Sequence, residues 1–299
     1  MAEYVRWRIR QDDNRDSTLI TLVSGHAWPV WNYYAPDMPA VRFPELEILD
    51  VNAVLDYNDV ATRIHDAVQD HDNVWLIQWQ ARIVDPMDIV PLQLELAGEE
   101  EEMDVEFWQV RLRHFRAVSA DRILTRPIAV NDNSVNFGNL IYLVDYEVAA
   151  NGDLLLYWQL HPQHTTPLPD LQIVGDTFTG DGLPFSRIAD RRPVGYDYPP
   201  LRWQDDQINV GRIPASEWAG PGALACHYRV RLSVYDTSGD LSGVDIIGSQ
   251  GQPAGAQTTL DLDLPIAVTG PDIDPVAENF IEVIPNMFMQ VGLLANQAE

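Results

Sequence analysis

The first third of the chain alternates apolar runs of strand length with segments whose apolar residues recur at helical spacing. TLITLV, LEILDV and NVWLIQWQ predict buried strands, and the alternating VEFWQVRLRHF predicts a further strand. YNDVATRIHDAVQDH places Val60, Ile64 and Val68 on one helical face, with Asn58 or Asp59 as the expected N-terminal cap. AEYVRWRIR predicts a short amphipathic helix, and DPMDIVPLQLELAGEEEE predicts a loop and helix that end in an acidic run. This order predicts a largely parallel sheet with helices on its faces.

After about residue 125 almost every segment has the pattern of a strand. LIYLVDYEVAANGDLLLYWQL predicts a hairpin that turns at Asn151 and Gly152, while ALACHYRVRLSVYD and TTLDLDLPIAV predict further strands. A stretch rich in Pro, Gly and aromatic residues, 185–222, predicts a long loop between them.

We therefore predict a multidomain α/β plus all-β protein. A three-layer α/β (Rossmann-like) domain spans residues 1–125, and an antiparallel β-sandwich or jelly roll spans residues 126–268. A C-terminal extension, residues 269–299, is expected to pack as a helix or strand across one of the domains.

Charge narrows the chemistry that this chain could perform. The formal net charge is -26, and all 19 basic residues are Arg, with no Lys in the sequence. A P-loop lysine, a Schiff-base lysine and a Ser–Lys dyad are therefore excluded. An acidic surface repels phosphate, so we expect no nucleic-acid partner and no attraction to an anionic membrane surface.

The single cysteine and the termini give further expectations. Cys226 permits no internal disulfide, and its place in an apparent strand predicts a buried, unreactive side chain. The N-terminus lacks the apolar core of a signal peptide, and no run reaches the ~18 apolar residues that a membrane helix requires. From the residues alone we expect a soluble chain without an export signal.

Several segments together carry a resemblance to a known family. They are LVSGHAWPVWNYYAPDMPAVRFPE, HDNVWLIQWQARIVDPMDIVPLQLE and FWQVRLRHF in the first half, and FGNLIYLVDYEV, RRPVGYDYPPLRW and PGALACHYRVRLSVYD in the second. Over roughly residues 1–268 the chain resembles the soluble, extracytoplasmic C-terminal region of PMT/ArnT-like (family 39) membrane glycosyltransferases of Chloroflexus-type bacteria. In that family the transferase chemistry belongs to acidic residues and membrane helices that this chain lacks. The resemblance implies an accessory domain pair displayed in the periplasm or at the cell surface, with any membrane attachment through a missing N-terminal part.

The aromatic segment SGHAWPVWNYY, residues 24–34, is the first candidate binding site. It follows a predicted strand, and open α/β sheets usually place ligands at the carboxyl ends of their strands. Alternatively, the aromatic side chains fill the space between sheet and helices. The candidate ligand-binding residues here are His26, Trp28, Trp31, Tyr33, Tyr34 and, after the third strand, Asp85.

A second group of candidate ligand-binding residues lies in the Pro-rich stretch. Tyr196, Tyr198 and Trp203 stand between prolines, where they could form a recognition surface or fold back over a sandwich edge. In LLLYWQL, neighbouring Tyr157 and Trp158 point to opposite faces of a strand, so one of the two is expected in the core.

No motif identifies a catalytic residue, a metal site or a cofactor, and none is predicted. His65 and Asp72 lie seven residues apart without the H-E-x-x-H spacing, and Asp176 and Asp181 are too few oxygen ligands for calcium. The acidic run at 99–102 is expected to be a solvated helix end or loop.

We therefore expect a non-catalytic recognition domain pair whose partner is a glycan or an acceptor protein. The alternative is a structural cell-surface protein that self-assembles into a layer or filament. A stand-alone hydrolase is a third, weaker hypothesis because no G-x-S-x-G elbow surrounds Ser24 and 45 acidic residues make any carboxylate pair unspecific.

Overall fold

The computed structural model describes residues 1–12, 17–24, 28–46, 50–123, 126–165, 167–239, 241 and 243–269. The predictions for His26 and for almost all of the C-terminal extension lie outside these residues. In the described part of the chain, no helix has both the length and the apolar character needed to cross a bilayer.

Residues 1–123 form one mixed sheet with helices on both faces. The helices are α1 (Ala2–Gln11), α2 (Trp28–Tyr34), α3 (Tyr57–Ala67) and α4 (Ile89–Ala97), and the strands are β1 (Thr18–Val23), β2 (Ala40–Phe43), β3 (Asn73–Gln78), β4 (Glu99–Glu101) and β5 (Arg111–Arg116). The strand order is β2-β1-β3-β5-β4. Strands β2, β1 and β3 are parallel, whereas β5 runs antiparallel to β3 and β4, so the sheet is mixed rather than largely parallel.

The alternation of side chains along each strand divides the core of this sheet into two layers. Ile20, Leu22 and Ile77 face one side, where α1 contributes Val5 and α2 contributes Trp31. The intervening strand residues face the side that is covered by α3 and α4. Because α2 follows β1 on one face and α4 follows β3 on the other, the connections that leave the carboxyl ends of β1 and β3 diverge.

Within residues 135–263 the described chain forms two antiparallel sheets. Their elements are β6 (Val135–Phe137), β7 (Ile141–Val148), β8 (Leu154–Leu160), β9 (Leu171–Thr179), β10 (Pro184–Arg191), β11 (Asn209–Ile213), α5 (Ala215–Trp218), β12 (His227–Asp236) and β13 (Thr258–Asp263). The strand orders are β10-β9-β12-β13 and β11-β8-β7-β6. Buried residues of both sheets belong to one hydrophobic cluster. The predicted hairpin is confirmed, since β7 and β8 pair on either side of Gly152, whose φ is 85°.

Strand β8 is covered on both faces, and this joins the two halves of the molecule. Trp158 and Tyr157 are both fully buried, so the expectation that only one of them is core is wrong. The Tyr157 hydroxyl donates to the Tyr57 hydroxyl of α3 at 3.1 Å, and the two ring centroids are 4.8 Å apart. The hydrophobic cluster is thus continuous across residue 125, and the domain boundary there stays a sequence prediction.

Two local predictions in the first half need correction. The second strand of the described chain is Ala40–Phe43; of the predicted strand LEILDV, residues 47–49 lie outside the described chain and Val51 lies in a turn. The cap of α3 is Asp56 rather than Asn58 or Asp59. Asp56 has extended backbone dihedrals, and its carboxylate accepts a hydrogen bond from the Asp59 backbone N–H at 3.0 Å.

The acidic run is an edge strand, not a solvated helix end or loop. Glu99–Glu101 pairs with β5, and the carboxylate of Glu100 accepts a hydrogen bond from Nε of buried Arg113 at 2.6 Å. Glu101 accepts a hydrogen bond from Arg8 at 2.9 Å and lies 2.6 Å from the ring of buried His114. The guanidinium groups of Arg8 and Arg113 offset the repulsion between the carboxylates, which the isolated sequence could not show.

The predicted loop over residues 185–222 contains most of β10, all of β11 and α5. Cys226 is exposed, which contradicts the prediction of a buried side chain, because β12 begins one residue later, at His227.

Candidate functional site

The carboxyl ends of β1 and β3 meet at one edge of the mixed sheet. The connections that leave these ends lie on opposite faces of the sheet, α2 after β1 on one face and α4 after β3 on the other. In open α/β sheets, ligands bind in the crevice at such a point, where neighbouring connections diverge.

An apolar crevice of about 540 Å³ opens at this edge, on the face covered by α1 and α2. Its floor and wall are formed by the ends of β1 and β3 and by one side of α2: Leu22, Ile77, Trp79, Val30, Trp31 and Tyr34. Val110 and the first residues of α1, including Glu3, complete the lining. The crevice has a size typical of ligand pockets and few polar groups, so it suits an apolar group.

Helix α2 presents its aromatic residues to two environments. Trp31 is buried, and its indole N–H donates to the carbonyl of Met38 at 2.7 Å, which fixes the helix against the sheet. Tyr33 and Tyr34 are 79% and 63% exposed, with ring centroids 5.0 Å apart. Tyr34 lines the crevice together with Trp31, whereas Tyr33 lies outside its lining.

Trp28 supports the start of this helix and does not line the crevice. Its indole N–H donates to the carbonyl of Leu46 at 2.7 Å, and the guanidinium of Arg42 lies 4.7 Å from the centre of its ring. Of the candidates in residues 24–34, the structure therefore brings Trp31 and Tyr34 together at the crevice.

Asp85 has a structural role. Its fully buried carboxylate accepts hydrogen bonds from the backbone N–H groups of Ile89, at 2.7 Å, and Val90, at 3.0 Å, which begin α4. Burial raises the pKa of Asp85 to about 7, against the opposing effect of these two hydrogen bonds. The Asp85 side chain lines neither the apolar crevice nor the polar cleft beside it.

A second depression, a polar cleft of about 780 Å³, lies at the same sheet edge. Val110 lines both depressions, so they adjoin each other. The cleft is lined by amide, guanidinium and carboxylate side chains: Gln78, Gln80, Gln109, Arg82, Arg111 and Asp88. Gln78 and Arg111 are directly paired across β3 and β5.

The aromatic candidates of the second half divide between core and surface. Tyr198 and Trp203 are 1% and 6% exposed. The Tyr198 hydroxyl donates to Gln207 at 2.8 Å, and the Trp203 indole N–H donates to the carbonyl of Tyr198 at 3.1 Å. These two residues belong to the hydrophobic core, so they do not form an exposed recognition surface. Tyr196 is exposed, beside the guanidinium of Arg192.

Among the described residues, no group of three or more His, Cys, Asp or Glu side chains is placed to hold a metal ion. His65 instead contacts Asp66 at 3.1 Å and Gln69. The hydroxyl of Thr179 donates to Asp181 in its own turn.

Sequence reasoning missed the residues that follow β3 and precede β5. Trp79 lines the apolar crevice, Gln80 and Gln109 line the polar cleft, and the neighbouring Trp108 is 86% exposed. The signal was present for the first two, because Trp79 and Gln80 form the carboxyl end of the predicted strand NVWLIQWQ.

Comparison of the chain with protein-family models and with curated proteins gives no match.

Proposed function

We propose that this protein is a recognition module that binds a polypeptide segment by accepting one apolar side chain in the crevice between β1 and β3. The observation that carries this proposal is the combination of an apolar floor, formed by Leu22 and Ile77, with the exposed side chains of Val30 and Tyr34 at the opening. An apolar anchor that fills such a pocket supplies most of the binding energy in many protein interfaces.

Charge supports a partner with basic residues beside the anchor. Glu3 lines the crevice, and Asp104 and Glu106 are exposed on the segment that precedes Val110. The whole chain carries a formal charge of -26, which attracts a cationic segment and repels an acidic one.

The test is a titration of the full chain with a synthetic nonapeptide that has a central Leu flanked by Arg, and with its counterpart flanked by Glu. Tyr34→Ala should weaken binding of the Arg-flanked peptide by about tenfold or more, and Val30→Asp should abolish binding. Tyr33→Ala is the matched control, since Tyr33 lies on the same helix and is exposed but does not line the crevice.

Three results would contradict the proposal. They are no binding of either peptide, tighter binding of the Glu-flanked peptide, and an equal loss of affinity in Tyr33→Ala and Tyr34→Ala. A calorimetric melting scan of each variant should show an unchanged midpoint, because Tyr33 and Tyr34 are both mainly exposed.

The wider assignment rests on the family resemblance. We propose that a three-layer, Rossmann-like α/β domain and an antiparallel β-sandwich form the accessory, extracytoplasmic part of a PMT/ArnT-like glycosyltransferase, with an acceptor protein as partner. Strands β2, β3, β7 and β12, and all of β5 but its last residue, fall in the segments that carry the resemblance. An antibody blot of membrane and soluble fractions from source cells tests this, since a larger, membrane-bound band is expected. A soluble band at 33.8 kDa would contradict it.

One surface favours self-assembly as the second candidate function. Leu183 and Phe185 are exposed at the edge strand β10, and the Phe185 ring lies 5.6 Å from that of Tyr228, whose hydroxyl donates to the carbonyl of exposed Leu224. Unprotected edge strands pair readily with other chains. Light scattering that rises with concentration, and that Phe185→Asp abolishes, would support assembly over recognition.

A further inference from the structure

The polar cleft at the carboxyl end of β3 is separate from the apolar crevice and contains a different chemistry. It is bounded by the turn after β3, the start of α4 and the segment before β5. Three amides, from Gln78, Gln80 and Gln109, line it together with the guanidinium groups of Arg82 and Arg111.

Several of these polar groups have unused hydrogen-bonding capacity. The side chains of Gln80, Gln109 and Arg111 are exposed and make no hydrogen bond to another described residue. Gln78 is only 6% exposed, and its buried amide oxygen has no partner in the described part of the chain. An unsatisfied buried polar atom is costly, and in native proteins it often marks a functional position.

The backbone around the cleft is held in an uncommon conformation. Gln80, Asp88 and Gln109 have φ values of 51°, 52° and 56°, and they are three of the seven non-glycine residues with positive φ among those described. All three line this one cleft. Such left-handed residues cost free energy and cluster at binding sites, where the surrounding structure imposes them.

We propose that this cleft is a binding site for a neutral carbohydrate. Hydroxyl groups both donate and accept hydrogen bonds, as do the amides that line the cleft. Arg82 forms an ion pair with Asp197 at 2.6 Å, and the carboxylates of Asp88 and Glu106 line the cleft together with Arg111, so the lining has no excess positive charge for an acidic ligand. Phe107 adds an aromatic ring to the lining that can contact the apolar face of a sugar. This site does not depend on the polypeptide crevice, although Val110 lines both.

The test is titration calorimetry of the full chain with four neutral hexasaccharides, built from glucose, mannose, galactose or N-acetylglucosamine, and with an oligogalacturonate as the acidic probe. At least one neutral hexasaccharide should bind. Gln80→Ala and Arg111→Ala should each weaken its binding by about three- to tenfold, the loss expected for one hydrogen bond. The matched controls are Gln163→Ala and Arg187→Ala, at exposed positions of the β-rich half, and they should leave the affinity unchanged.

A second variant guards against local misfolding at Gln80. Asn tolerates the left-handed conformation, so Gln80→Asn should preserve the turn while withdrawing the amide, and it should weaken binding like Gln80→Ala. The proposal is overturned if no neutral hexasaccharide binds, if only the acidic probe binds, or if the cleft variants and the controls behave alike. Tyr34→Ala should leave sugar binding unchanged and Gln80→Ala should leave peptide binding unchanged, so either site can fail without the other.

Discussion

Asp85 should make the stability of this protein decrease as the pH rises through the weakly acidic range. Its carboxyl is fully buried at the start of α4, and its pKa is raised from 3.8 to about 7 by burial. Below pH 3.8 the group is protonated in both the folded and the unfolded chain. Between 3.8 and about 7 the unfolded chain ionises while the folded chain keeps the proton, so the free energy of unfolding falls. Above about 7 both states are ionised and the effect is constant.

The size of the effect follows from the two pKa values. A difference of about three pKa units, at 1.36 kcal/mol for each unit, amounts to about 4 kcal/mol between the two ends of this pH range. Asp85→Asn removes the titration and keeps an oxygen that can accept from one of the two N–H groups, of Ile89 or Val90.

The assay is urea unfolding of wild type and Asp85→Asn at intervals from pH 4.5 to pH 8, followed by tryptophan fluorescence. The difference in the free energy of unfolding, wild type minus variant, should fall through the acidic range and level off above about pH 7. The difference isolates Asp85 from other titrating groups such as His114, whose pKa is lowered by burial. Asp104→Asn, at an exposed position, is the substitution control and should change stability by less than about 0.5 kcal/mol. Parallel wild-type and Asp85→Asn profiles would refute the reasoning.

Two further predictions concern the β-rich half. Gly211→Ala should destabilise the protein by about 3 kcal/mol, because an added Cβ would lie 2.0 Å from the carbonyl oxygen of Pro193. Gly239→Ala is its control: an added Cβ there has no neighbour closer than 3.6 Å, and the substitution should cost under about 1 kcal/mol in the same urea assay. Exposed Cys226 should react with a chromogenic thiol reagent in the native protein as fast as it does in urea, and a native rate more than about tenfold slower would contradict its exposure.

The strands that the sequence pattern predicts are those that their own residues specify, without contacts to distant parts of the chain. Strands β1 and β3 are continuous apolar runs, and the β7–β8 hairpin has its own Asn-Gly turn. Strand β10 could not be predicted in this way, because Ile188 is its only fully buried residue and no apolar alternation exists. Strand β4 consists of three Glu residues, and it depends on Arg113 of β5, which the chain brings close only on folding.

The candidate site was predictable to a similar extent. The rule that ligands lie at the carboxyl ends of parallel strands points to the edge where the apolar crevice opens, and Trp31 and Tyr34 lie there. The sequence left open whether Tyr198 and Trp203 are exposed or buried, because their partners, Gln207 for the Tyr198 hydroxyl and the Tyr198 carbonyl for the Trp203 indole, are set only by the folded loop. Gln80 and Gln109 carry no sequence signal for their left-handed conformations, which the tertiary structure imposes.

The most direct test of the recognition proposal is the tryptophan indole N–H spectrum of the ¹⁵N-labelled protein during addition of the Arg-flanked peptide. The nine indole signals are assigned with single Trp→Phe variants. The proposal predicts shifts at Trp79 and Trp31, which line the crevice, and none at Trp158 and Trp218, which are buried in the β-rich half. Binding that leaves the Trp79 and Trp31 signals in place, or that shifts only those of Trp158 and Trp218, would contradict the assignment of this sheet edge as the recognition site.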